Sequence, residues 1–194
     1  MSRQTNIVNL GKIISYLKND GIPNLLSTNI STKYIDNNIK LRLFPLSLPI
    51  LPALSGQLQY LTCLNTLRIL SNRFLLDRNI NDIPHKLNIL AIDPIKSTQL
   101  SQNKLFITSN DKLLIRWQTS PDILTPLQQL GNYTRVQDGN FTENKNDRMI
   151  KGNFILEFNS DNTKILVHTI ENIEFYHVKK KKEDDEKTTN VSMC

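Results

Sequence analysis

Between Asn153 and Val178 the chain runs Asn-Phe-Ile-Leu-Glu-Phe, turns through Asn-Ser-Asp-Asn-Thr, and resumes as Lys-Ile-Leu-Val-His-Thr-Ile-Glu-Asn-Ile-Glu-Phe-Tyr-His-Val. Two β-rich apolar runs around a short Asn/Ser/Asp turn predict a hairpin. In the second run Ile165, Val167 and Thr169 alternate with Leu166, His168 and Ile170. Both sets are largely apolar, so this strand is expected at the centre of a sheet, or under a helix or a partner, and not at an open edge.

The elements leading up to that hairpin follow from periodicity. Ile7, Leu10, Ile14 and Leu17 recur at helical spacing and predict an amphipathic helix ending near Asp20-Gly21. Arg3, Lys12 and Lys18 all precede the first acid, Asp20, the charge pattern of a weak mitochondrial presequence. The plainer reading is the first packed helix of the domain. Pro23 suits the first turn of a short second helix through Leu26. Ile39, Leu41 and Leu43 alternate with Lys40 and Arg42, a half-exposed strand.

The stretch Pro45 to Pro52 carries three prolines and several leucines. It predicts an extended connector that packs as a lid over its own core or, as the alternative, docks a partner. Ser55 is placed to cap the longest helix, Gly56 to about Leu76, with Leu58, Leu61, Leu64 (or Cys63), Leu67, Leu70 and Phe74 as its apolar stripe. Strands are expected at Leu87–Ile92, Lys104–Thr108 and Leu113–Gln118, the last two joined as a hairpin through Ser109-Asn110-Asp111-Lys112. From Thr119 to Gly152 the pattern is lost apart from a short helical signal at Ile123–Leu130.

The length of 194 residues suits one domain with a proper core, here residues 1–178, followed by a charged, disordered tail, 179–194. The tail sets five lysines against four acids, so most of the net charge of +6 sits on the body, where no segment concentrates it. That makes nucleic acid an unlikely partner, and Lys179–Lys182 reads as a solvated run sooner than a localisation signal. Two distant cysteines and three scattered histidines give neither a disulfide framework nor metal-ligand spacing. The expected setting is therefore a reducing, intracellular compartment, mitochondrial or nucleo-cytoplasmic, with no metal and no cofactor. No apolar run reaches the roughly 18 residues that span a bilayer. The sequons at Asn29, Asn132, Asn140 and Asn190 have meaning only in an exported chain, and the Asn richness behind them equally fits a composition-biased genome.

The order of elements predicts an α+β class, with N-terminal helices and one long helix against a curved antiparallel sheet. Four features carry a resemblance to the nuclear transport factor 2-like superfamily, the cone fold shared with ketosteroid isomerase and SnoaL-type polyketide cyclases. They are the N-terminal helices before Ile39–Leu43, the Ser55-Gly56 entry to the long helix with Tyr60 inside it, Leu114-Ile115-Arg116-Trp117 on a middle strand, and Phe154 through His168. Among these families the chain looks most like an uncharacterised eukaryotic group with the Arg-Trp strand and the final His, several of whose members are thought mitochondrial. The 119–152 insertion departs from the compact turn usual there.

The resemblance implies a concave mouth with the sheet as floor and the long helix as wall. Isomerase chemistry in such a mouth needs a carboxylate or histidine base and an oxyanion donor. His168 and Asp36 are the candidate bases, and Tyr34, Tyr60, Trp117 and His168 the candidate ligand contacts. Asp36-Asn37-Asn38 reads equally as a turn, and Asp93 as a strand-end residue. No spacing fixes two carboxylates on one element, so a non-catalytic binding or scaffold protein is the leading expectation, holding a protein partner, a second copy through the sheet, or an apolar small molecule. The alternatives are an isomerase- or cyclase-like enzyme and a nuclear-export-type heterodimer subunit.

Overall fold

The computed structural model describes residues 3–71, 86–95, 105–119 and 148–177. Helix α1 spans Arg3–Tyr16 and continues into one wide turn, Leu17–Gly21. Strand β1 (Ile35–Leu43) is followed by the two-residue β2 (Leu54–Ser55) and by helix α2 (Gln57–Leu70). Strands β3 (Leu87–Ile95), β4 (Lys112–Thr119), β5 (Arg148–Phe158) and β6 (Ile165–His177) complete the fold. The class is α+β, with helices against a curved, unclosed six-stranded sheet of order β2-β1-β6-β5-β4-β3.

The hairpin forms as its turn chemistry requires. Asn159, Asp161 and Thr163 bond one another and the local backbone, while Asn162 adopts the left-handed conformation (φ 58°) that Asn tolerates and donates its side-chain amide to Asp111 at 2.7 Å. β5 then pairs antiparallel with β6, and β6 lies between β5 and β1. The sheet is mixed: β1 runs parallel to β6, with Leu41 opposite His168. A parallel pair joins residues more than a hundred positions apart, and no local turn signal announces it.

A register shift between Glu157 and Phe158 separates the faces of β6 differently from simple alternation. Ile165 joins the main core with His168's face, whereas Val167 and Thr169 are buried on the opposite side. Tyr60, Ile13, Leu17, Leu41, Ile115, Phe154, Leu156 and Phe158 fill the helix-covered side.

Other expectations change with the structure. Residues after Pro23 make successive turns (Leu25 N–H to Ile22, Ser27 and Thr28 N–H to Asn24) and no second helix. No strand forms at residues 105–108; β4 pairs instead with β3 and β5, because the 105–111 segment is drawn onto a buried carboxylate. Gly56, at φ 96°, and not Ser55, occupies the cap position of α2. The stripe of α2 holds at Leu64, which is buried, and at Leu61, Cys63 and Leu67, which are half-buried, but it gains the buried Tyr60 and loses Leu58 and Leu70, 80% and 45% exposed. The run from Leu46 to Ala53 is exposed and is not a lid. Residues 148–152 of the expected insertion belong to β5, and the helical signal at 123–130, Phe74 and the tail lie outside the described residues.

Helix α1 and the turn after it pack into the core. Ile13 and Leu17 are fully buried, each contributing about 1.5–3 kcal/mol. Asn6 and Asn9 donate side-chain hydrogen bonds to the carbonyls of Ser160 and Asp161 at the hairpin tip. Among the described residues no helix is long and apolar enough to cross a membrane.

Candidate functional site

His168 sits on β6 between Leu41 of β1 and Leu156 of β5. One turn into α2, Tyr60 reaches down to it, its hydroxyl 3.0 Å from His168 Nδ1. Both side chains are completely buried. The surroundings decide the proton positions. A Tyr60 hydroxyl that donates to Nδ1 leaves only the opposite ring nitrogen, Nε2, without a partner among the described residues. The reverse direction strands both the hydroxyl proton and the Nε2 lone pair, which costs more in an apolar interior. We therefore assign Tyr60 as donor and Nε2 as the protonated nitrogen. Burial pushes the imidazole pKa down from 6.5 to about 3, so His168 is neutral at physiological pH. Burial first, and then Tyr16, pushes the Tyr60 phenol far above its ordinary range.

An aromatic row extends from this pair. The Phe154 ring meets the imidazole edge-on, centroids 5.0 Å apart, and stacks on Trp117 at 4.8 Å. Trp117 is buried, and its indole N–H has no partner among the described residues. The indole lies over Gly152, where an added Cβ would sit 2.7 Å from Trp117 Cζ2 and 2.5 Å from Ile173 Cδ1. Only glycine leaves room there.

The remaining candidates lie elsewhere. Tyr34 stacks on Tyr16 with centroids 4.3 Å apart, and Tyr16 accepts from the Ser31 amide. Asp36 accepts from the Asn38 amide at 2.9 Å, an Asx turn at the start of β1. Asp93 pairs with Arg116 at 2.7 Å on the exposed surface. The structure thus brings together Tyr60, His168 and Trp117, and leaves Tyr34 and Asp36 apart from them. A general base works best with a pKa near the operating pH, which the neutral His168 lacks. Its protonated Nε2 can donate to a polar acceptor, and among the described residues no group of three metal-binding side chains exists.

The opposite face of the sheet holds charged residues that sequence reasoning missed. Glu157 is buried and accepts from the Ile107 and Thr108 amides and from Thr108 Oγ1, at 2.7–3.3 Å. Lys112 lies 3.9 Å away, equally buried, and donates to the Asn110 carbonyl at 2.7 Å. Burial pulls the Lys112 pKa down, while Glu157 and Asp111 act against that shift. Glu171, also buried, accepts from the Leu46 amide (3.1 Å) and Ser47 Oγ (2.8 Å). The signal was present: Glu157 and Glu171 interrupt runs that are otherwise apolar.

Residues 2–150 match the family described as "Mitochondrial protein up-regulated during meiosis" (MMU163). The chain belongs to this family. The matched region contains Tyr60 and Trp117, whereas His168, Glu157 and Glu171 follow it. Over 254 aligned positions the chain is 30% identical to an uncharacterised Saccharomyces cerevisiae protein, YGR053C, covering 93% of this chain and 89% of that one. Solved structures with a related path include a pinacolase, BvnE, from Penicillium brevicompactum (14% identity, 87% and 82% covered, TM-score 0.39). AusH from Aspergillus nidulans (11%, 89% and 86%, 0.41) and a de novo designed curved-sheet protein (10%, 88% and 87%, 0.41) stand at the same distance. Likeness at that level carries no argument about what this family member does.

Proposed function

We propose that the chain is a non-catalytic, nuclear transport factor 2-like binding domain whose partner is another protein. One observation carries this reading: the polar pair at the centre of the helix-covered side, Tyr60–His168, is wholly buried, neutral and without a neighbouring carboxylate among the described residues. The two candidate bases are committed elsewhere, His168 to Tyr60 and Asp36 to its own turn. An interior filled in this way supports recognition from outside. Native mass spectrometry of the protein purified gently from its own host tests the reading. The expected result is a retained protein chain and no small molecule; a stoichiometric small molecule would overturn it in favour of a ligand-binding or isomerase-like protein. The Trp117 N–H, which has no partner among the described residues, is the observation that favours such a second reading, with an apolar ligand bearing one hydrogen-bond acceptor.

The family description supports a mitochondrial location, and the acid-free, basic helix α1 fits it. Because Ile13 and Leu17 are core residues, α1 stays with the mature domain in this reading. The intact mass of the protein recovered from isolated mitochondria checks this: the mature chain still contains Asn6 to Leu17. A mature form starting after Tyr16 would contradict it.

A further inference from the structure

We infer that helix α1 is a conditionally masked targeting element, recognised through its apolar face by a receptor protein with an apolar groove and an acidic rim, and hidden from it once the domain has folded. The inference rests on the mitochondrial location proposed above and adds what makes that location depend on folding. Of the stripe Ile7, Leu10, Ile14 and Leu17, only Ile7 remains exposed; Leu10 and Ile14 are half-buried, and Leu17 and the neighbouring Ile13 are closed into the core. The other side shows the exposed Lys12 and, just past the end of α1, Lys18, and no acid precedes Asp20. A groove that takes a basic amphipathic helix grips its apolar side and is steered by its basic one. The folded chain offers only the basic side.

Three asparagines close the mask. Asn6 and Asn9 donate to the carbonyls of Ser160 and Asp161, 3.1 and 3.0 Å away. Asn162, itself buried, donates in return to the Asn6 carbonyl at 3.4 Å and to the Asp111 carboxylate at 2.7 Å, which joins α1, the hairpin tip and Asp111 into one unit. The contacts between α1 and the tip span 152 to 156 positions. The tip is therefore made long after α1, by roughly 8–30 s at ordinary rates of synthesis. Until then the apolar face is open.

Alone, α1 does not hold its helix. Its 14 residues are marginal in water, its first turn carries no acid, and Gly11 weakens its middle. Packing does not demand that glycine, since an added Cβ would meet nothing within 4 Å. The segment thus has two states, a docked helix and a free stretch able to fold on a groove, and the asparagine contacts bias the choice between them.

The test follows the radiolabelled full chain into isolated mitochondria, presented either folded or freshly diluted from urea, with protease protection as the readout. The diluted chain is expected to be protected at least about fivefold more, because only the open fraction is competent to bind. Asn6→Ala/Asn9→Ala, which opens the mask without touching the apolar core, is expected to bring the folded chain toward that level. Gly152→Ala, which loosens the fold at Trp117 and Ile173 instead, is expected to leave import of the folded chain low. Lys12→Glu/Lys18→Glu, on exposed positions, is expected to keep the wild-type Tm and to lose import of the diluted chain. Equal import of folded and diluted wild type overturns the inference, as does an equal gain from Gly152→Ala and from the asparagine variant. Undiminished binding of the diluted chain to mitochondria shaved with trypsin overturns the choice of a receptor protein in favour of the lipid surface. Failure of the location reading looks different: the diluted chain then gains no protection at all, and the mask falls with it.

Discussion

The two faces of the central strands solve the burial of polar groups in opposite ways. On the helix-covered face one neutral pair, Tyr60–His168, sits among aliphatic and aromatic side chains and is held by a single hydrogen bond, with Nε2 of His168 left without a partner among the described residues. On the other face Glu157, Lys112 and Glu171 are buried as strongly, but each is tied to the backbone of an irregular segment: Glu157 and Lys112 to residues 107–110, Glu171 to residues 46–47. Neutral groups at the centre keep the core self-contained. Carboxylates on the far face use surface loops as their hydrogen-bond donors and so determine the shape of those loops. The face with charge is therefore the one whose irregular segments are held from beneath by buried side chains.

The comparison breaks most visibly at Glu157. Glu157→Ala leaves Lys112 buried without its counter-charge and the Ile107 and Thr108 amides without an acceptor, at about 3–5 kcal/mol. Urea unfolding with a lowered midpoint measures this, and loss of amide-exchange protection at Ile107 and Thr108 localises it. Next in size, Gly152→Ala drives a methyl into Trp117 and Ile173 and is expected to cost about 1–3 kcal/mol, with a changed tryptophan emission. Tyr60→Phe, by denaturant titration, costs about 1–2 kcal/mol because Nδ1 of His168 loses its donor. The double variant Tyr60→Phe/His168→Leu sharpens the contrast: it recovers most of that loss, since removing both partners of a neutral pair leaves nothing unsatisfied. If the double variant is instead as unstable as the sum of the singles, the two residues are uncoupled and the hydrogen bond is not what holds the pair. The smallest effect belongs to Leu58→Ser, within about 0.5 kcal/mol, because that leucine faces solvent.

Much of the fold was legible where the signal was local. The Asn-rich turn announced the β5–β6 hairpin, and the alternation in Ile165–Ile170 announced a strand covered on both sides. Helix α1 was legible from Leu10, Ile14 and Leu17. Nonlocal features were not: the parallel pairing of β1 with β6 has no sequence mark, and the shift at Glu157–Phe158 turns Ile165 to the other face. The stripe of α2 was legible at Leu61, Leu64 and Leu67 but wrong at its margins, because counting leucines favoured Leu58 and Leu70 over Tyr60, which the core takes up. At the candidate site, Tyr60, Trp117 and His168 were legible as polar or aromatic residues within apolar surroundings. That Asp36 would turn onto its own backbone was equally readable from Asp36-Asn37-Asn38. The pairing of Glu157 with Lys112 was not, because two segments far apart in sequence meet there.

The central claim is that His168 is a sealed, neutral member of the core. Because its pKa is depressed in the fold, the unfolded chain binds its proton first as pH falls. Its contribution is therefore flat above about pH 6.5, and stability declines as pH drops from there toward about 3, by at most about 1.4 kcal/mol per unit. The most direct measurement is the imidazole chemical shift of His168 followed by NMR across pH 8 to 4.5, with His168→Leu to assign the signal. The account predicts no titration while the domain stays folded. A reversible titration near pH 6–7 in the folded protein would contradict it, and would return His168 to the role of a proton-exchanging group in an accessible site.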